Sequence, residues 1–315
     1  MVTKVPDSLP VIKIQDLSKR YLPSAVFAVD SLNMTVMPGE IFGFLGPNGA
    51  GKTTTIRLLL DLIRPTSGNV QIMGMDCNKS SVHVRNKVGY LPAELSLYPK
   101  FNGSKLLKLF GSLRPGDVSH EYTDYICNRL DIDLDTQINR LSHGNRQKIG
   151  LLLALMFRSE LLILDEPTTG LDPIVQHELL DILREVRSDG RTIFFSSHVL
   201  PDVEQICDRI GIIREGKLVT VEQVNTLRGR RIQRIRINFA ESVKRQLFES
   251  LPDVKLIENL DTSIYLEVKG DIDLVVKAAS NFKVVSMESD RPSLEEVFMG
   301  YYQGNEQVQD GEDAT

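Results

Sequence analysis

The segment Gly46-Pro47-Asn48-Gly49-Ala50-Gly51-Lys52-Thr53 fits the pattern G-x-x-x-x-G-K-[ST] at every fixed position. Small residues in such a loop let backbone N–H groups converge on phosphate oxygens, and a helix opening behind it adds its positive N-terminal dipole. The lysine of the pattern reaches the β- and γ-phosphates, and the following hydroxyl is a ligand for Mg²⁺. Alone, the pattern implies a nucleotide with Mg²⁺ and little more. Gly46 through Thr53 and the adjoining Thr54 form its binding segment.

A second group complements the first. Leu161-Leu162-Ile163-Leu164 is an apolar run ending in Asp165-Glu166. A buried strand that ends in an acid delivers the carboxylate to the carboxyl edge of a sheet, where α/β proteins bind ligands. There Asp165 can hold Mg²⁺, and Glu166 can polarise an attacking water as a general base. Ser196-Ser197-His198 follows another strand-like run, Thr192 to Phe195, which brings His198 to the same edge and within reach of a γ-phosphate. Leu141-Ser142-His143-Gly144-Asn145 precedes a helix expected from about Arg146, and Thr169-Gly170-Leu171-Asp172 follows the acidic strand.

These residues need a frame to hold them. Ile41 to Leu45 is a short apolar run suited to a strand buried on both faces, and Thr53 to Ile63 has helical apolar spacing. Strand, loop and helix then alternate, which implies an α/β fold with a largely parallel sheet across residues 11–225. Residues about 98–160 read as a mainly helical insertion. Near residue 225 the composition shifts, with Arg228, Arg230, Arg231, Arg234 and Arg236 crowded together. That cluster reads either as a solvated linker and strand edge or as a contact for anionic lipid headgroups. Beyond it, residues 230–302 read as a small α+β domain in the order βαββαβ. Within it Glu241 to Leu251 is expected to be helical. A capping box at Ser293-Leu294-Glu295-Glu296 opens a last helix through Met299, and residues 303–315 read as a disordered acidic tail.

Composition bounds the alternatives. The 315 residues are 42% hydrophobic and 25% charged, an ordinary globular balance. A net charge of -5 argues against nucleic-acid binding by bulk electrostatics. The three cysteines are scattered, with no metal-site spacing. The longest apolar run, Ile149 to Phe157, is far short of the ~18 residues a membrane span requires. No signal peptide is read at the N-terminus.

The ordered set GPNGAGKTT, LSHGN, LLILDEPTTGLD and SSH resembles the nucleotide-binding domain of ABC transporters, a P-loop NTPase fold with a helical subdomain. The resemblance covers residues about 11–225. It implies that Tyr21 stacks on adenine, that Ser142 and Gly144 touch the γ-phosphate bound to the opposite subunit, that Asp172 contacts the dimer partner and that His198 is the switch histidine. Two departures stand out. The family signature is LSGGQ, and here His143 and Asn145 replace a Gly and the Gln. In Val88-Gly89-Tyr90-Leu91-Pro92-Ala93-Glu94, the Q-loop position after Pro92 is Ala93. Glu94 is then the shifted candidate for the magnesium contact.

The segment YLPAELSLYP and the added C-terminal domain ending in PSLEEVFMGYY resemble ATP-binding subunits of ABC-2 type exporters, the drug-resistance group in particular. This implies a head-to-tail dimer, most simply a homodimer, holding two ATP molecules. It also implies a separately encoded permease and a place on the cytoplasmic face of the membrane. Two other readings stay open. One is a soluble ABC protein of translation or DNA repair, disfavoured by a single cassette and no long coiled coil. The other is a nucleotide sensor with little turnover, disfavoured by the presence of Glu166 and His198.

Overall fold

Three apolar runs build the central sheet. Ile41–Leu45 (β3), Leu161–Asp165 (β7) and Thr192–Ser197 (β8) are buried at every position, as expected of parallel strands covered on both faces. The computed structural model describes residues 9–114, 118–225, 232–243, 246–269 and 272–290. These fall into two compact units dividing between Gln223 and Val224.

In the first unit the six-stranded sheet runs β10-β9-β3-β8-β7-β6, with β6 at Val88–Leu91, β9 at Arg209–Arg214 and β10 at Lys217–Gln223. The strands from β9 to β6 are parallel, and β10 closes the edge antiparallel to β9. A second, antiparallel sheet has the order β2-β1-β4-β5, from Phe27–Val36, Ile12–Arg20, Ser67–Ile72 and Met75–Asp76. Helix α1 (Lys52–Leu59) contributes Ile56, Leu58 and Leu59 to a core shared with both sheets. It stops short of Ile63 because Asp61 takes a left-handed φ of 53° and Pro65 follows.

A short helix, α2 (Ser81–Asn86), precedes β6. The insertion holds α3 (Gly103–Leu113), α4 (His120–Leu130) and α5 (His143–Leu155). Each is capped by the side chain before it: Asn102, Ser119 and Ser142 accept from Lys105, Tyr122 and Asn145 N–H groups. The cap at Ser142 starts α5 three residues earlier than Arg146, so His143, Gly144 and Asn145 lie in its first turn. Helices α6 (Pro173–Ser188) and α7 (Leu200–Ile206) complete the unit.

The second unit is a four-stranded antiparallel sheet in the order β12-β13-β11-β14, built from Val254–Leu260, Ser263–Lys269, Ile232–Phe239 and Val284–Asp290. With α8 (Gln246–Glu249) and α9 (Asp273–Ala279) the chain order is βαββαβ. Ile235, Ile237, Phe248, Ile264, Leu266 and Val275 form its core. The helix expected over Glu241 to Leu251 is shorter among the described residues. Arg236 stacks over Tyr265 at 5.0 Å, and Arg234 lies 3.9 Å from Glu267. These two arginines thus have protein partners on the sheet. Arg228, Arg230, Arg231, the helix at Ser293 to Met299 and the tail at 303–315 lie outside the described residues.

Candidate functional site

The loop between β3 and α1 is shaped by what glycine permits. Gly51 has φ 109°, and a methyl group there would stand 2.4 Å from the Ala28 carbonyl oxygen. Gly49, at φ 82°, faces open space. At Gly51 the chain thus takes a left-handed turn into α1 that a side chain would block.

At the start of α1, Lys52 is 6% exposed. Its Nζ donates to the carbonyls of Gly46 at 2.5 Å and Pro47 at 3.1 Å. The same ammonium lies 3.2 Å from Glu166 Oε1, and Glu166 Oε2 lies 2.7 Å from His198 Nδ1. One carboxylate is thus held between a lysine of the phosphate loop and a histidine from the end of β8. Glu166 itself has a left-handed φ of 51°, a strained conformation for a residue with a Cβ.

The strand register explains how the two acids are held. Adjacent parallel strands place Asp165 opposite Ser196. The fully buried Ser196 hydroxyl donates to Asp165 Oδ1 in a short hydrogen bond and accepts from the Glu166 N–H at 3.2 Å. Sequence reading attached chemistry to His198 in this segment and passed over Ser196. Its signal was a hydroxyl two residues before the histidine, meaningful only once β7 and β8 are known to be neighbours.

Burial raises the Asp165 carboxyl above the ordinary carboxylate range. The Ser196 and Thr53 hydroxyls oppose that shift, Glu166 adds to it and Lys52 offsets it. Asp165 Oδ2 is buried without a hydrogen-bond partner. A buried carboxylate oxygen of this kind, near a threonine hydroxyl, is a donor set that suits a hard divalent cation such as Mg²⁺. Thr53 and Asp165 are the residues that would hold it. Glu94 is exposed in the bend after β6, and no described hydrogen bond or ion pair joins it to Thr53 or Asp165. Among the described residues no group of three or more His, Cys, Asp or Glu could hold a metal.

The remaining candidates lie apart from this cluster. Tyr21 follows β1, is 43% exposed, and has Lys19 Nζ 5.2 Å from its ring centroid. Ser142 caps α5. Asp172 caps α6, its Oδ1 accepting from Ile174 and Val175 N–H at 3.1 and 3.0 Å. Among the described residues no hydrogen bond or ion pair joins Ser142, Gly144 or Asp172 to residues 46–54.

A phosphate loop between a parallel strand and a helix, with an acid pair at the end of a strand two places along the same sheet, defines a P-loop nucleotide-binding protein. The family described as ABC transporter matches residues 29–169. The chain is similar to the bacitracin transport ATP-binding protein BcrA of Bacillus licheniformis. The two are 39% identical over 212 residues, 66% of this chain and 68% of that protein. It is also similar to the linearmycin resistance ATP-binding protein LnrL of Bacillus subtilis, 29% identical over 311 residues, 92% of this chain and 97% of that one. Its fold matches the dimeric structure of the ATP-binding cassette MJ0796 bound to ADP and Pi, with a TM-score of 0.62, 21% identity, and coverage of 68% of this chain and 98% of that one. The chain belongs to the ABC transporter family, as one of its ATP-binding proteins. No helix among the described residues is long and apolar enough to cross a membrane.

Proposed function

We propose that this chain hydrolyses ATP to power a membrane exporter whose permease is a separate protein. The observation that carries the reading is Glu166 held between Lys52 at 3.2 Å and His198 at 2.7 Å, beside a buried aspartate. In this reading the loop N–H groups and Lys52 bind the β- and γ-phosphates, Tyr21 stacks on the base, and Lys52 exchanges Glu166 for phosphate. Glu166, so freed, accepts a proton from the attacking water while His198 orients it and the γ-phosphate. Thr53 and Asp165 would hold Mg²⁺, which when bound would supply positive charge against the developing phosphate charge.

Each chain supplies half of two composite sites. Ser142 and Gly144 of one copy close on the ATP of a second copy, with Asp172 at the contact. ATP thereby favours the closed dimer and hydrolysis reopens it, since a ligand shifts an equilibrium only through differential affinity. The dimer sits on the cytoplasmic face of the membrane, bound to its permease. The transport and resistance functions printed for BcrA and LnrL support export. The test is phosphate release by the purified chain, alone and co-purified with the membrane protein encoded beside it. Hydrolysis abolished by K52A and stimulated by the membrane partner is the expected result. Hydrolysis indifferent to K52A contradicts the proposed site, and the lack of any such partner contradicts export.

A further inference from the structure

His143 stands where the family signature has a glycine, and the fold gives its ring a place. It opens α5 between the capping Ser142 and Gly144. The ring lies against Gly170, in the turn between Glu166 and Asp172. A methyl group on Gly170 would stand 2.3 Å from His143 Cδ2 and 2.8 Å from Nε2. Gly170 has φ 77°, a conformation glycine adopts at little cost. Gly144 makes a second close approach, since a methyl group there would stand 2.7 Å from the Gly170 carbonyl oxygen.

The same turn is tied down on other sides. Gln147, from the next turn of α5, is 2% exposed and donates Nε2 to the Pro167 carbonyl at 3.4 Å. Gln176 of α6 donates to the Thr168 and Leu171 carbonyls, each at 3.1 Å. The Thr169 N–H donates to the Glu166 carbonyl at 3.2 Å. The first turn of α5 and residues 166–172 therefore form one interlocked piece. A shift of that helix end must be accommodated by the turn whose first residue is the strained Glu166. Packed contacts of this kind pass small displacements on rather than absorbing them.

We infer that His143 is a positioning residue that couples the two nucleotide sites of the dimer through Gly170. This rests on the reading that Ser142 and Gly144 meet the partner's nucleotide while Glu166 acts on the chain's own. Contact with one phosphate then bears on the base that activates the water attacking the other, and a glycine at 143 would leave no ring over Gly170. Coupling of this kind is read as cooperativity between sites.

The test uses the purified full chain, ATP as the probe, and the variants H143A, G170A and H143A/G170A. H143A keeps equilibrium ATP affinity within about twofold, because Lys52 and Thr53 are untouched. It lowers kcat by about fivefold or more, within the range for residues in direct contact, and brings the Hill coefficient for ATP to 1. G170A forces the ring off the turn, so it costs at least about fivefold less in kcat when His143 is already alanine, as a double-mutant cycle reveals. A wild-type Hill coefficient and kcat in H143A overturn the inference. So does a G170A cost that is the same in both backgrounds. If the unmodified chain does not hydrolyse ATP, the proposed function fails on its own account. The interlock is then read by amide hydrogen exchange over residues 166–172: faster exchange in H143A upholds it and an unchanged rate overturns it.

Discussion

His198 Nδ1 stands 2.7 Å from Glu166 Oε2, with the histidine side chain 44% exposed and the glutamate 14%. The exposed partner can leave without cost to the core, and the less exposed one is held by Lys52 as well. H198A is therefore expected to keep its thermal midpoint and its ATP affinity while kcat falls about 10²-fold, the low end for a positioned acid–base group. Steady-state phosphate release and a thermal melt check this pair of outcomes. Unchanged kcat removes His198 from the chemistry.

Ser196 acts on both acids at once. Its hydroxyl supplies Asp165 Oδ1 with a donor and receives the Glu166 N–H, which also reaches the Ser196 carbonyl at 3.1 Å. S196A thus leaves the amide satisfied and the buried carboxylate short of a donor. Denaturant titration is expected to show a loss of about 1–3 kcal/mol, the usual cost of depriving a buried polar group of its partner. ATP hydrolysis is expected to need more Mg²⁺ for half-maximal rate. A variant with native stability and native Mg²⁺ dependence contradicts the assigned role.

The two acids differ in what they demand of the fold. Burial raises the Asp165 carboxyl above its unfolded value, so the folded state binds its proton more tightly than the unfolded state does. Its contribution to stability is thus present below the ordinary aspartate range and is lost as pH rises through the raised folded value. At neutral pH the ionised group is a cost to the folded state. D165N removes the charge, and the melting temperature is expected to rise, by about 2–4 °C for each kcal/mol recovered in a unit of this size. Mg²⁺-dependent ATP binding falls at the same time, a trade of stability for function. Paired melts of the ligand-free proteins at pH 4 and pH 7 measure it. A D165N gain that is no larger at pH 7 than at pH 4 contradicts the argument.

The parallel strands were legible because burial on both faces writes an unbroken apolar run, as in Ile41-Phe42-Gly43-Phe44-Leu45 and Leu161-Leu162-Ile163-Leu164. The antiparallel strand Ser67–Ile72 buries only Val70 and Ile72, and Lys217–Gln223 buries nothing fully. Such strands leave at most a short alternation, as in Asn69-Val70-Gln71-Ile72, and their place comes from the neighbours they pair with. Likewise the start of α5 was hidden, since Ser142 reads as part of a motif before it reads as a cap. The approach of Lys52, Glu166 and His198 followed from strand ends sharing one sheet edge. The Ser196 bridge and the His143–Gly170 contact did not, because each needs a register or a helix crossing that residue spacing does not encode. Glu94 was chosen by position in a motif, and the exposed bend after β6 gives it no described link to Asp165.

In the proposed two-copy site, Glu166 is the residue that separates ATP binding from ATP hydrolysis. The molar mass of E166Q by light scattering with ATP, then with ADP, beside a phosphate-release assay, measures that separation. The amide keeps the shape of the carboxylate and loses its capacity to accept the water's proton, so the rate is expected to fall at least about 10²-fold. A stable dimer that forms with ATP, persists for the length of the run and disperses with ADP is the expected result. Hydrolysis at the rate of the unmodified chain, or an E166Q protein that stays monomeric at saturating ATP, would contradict it.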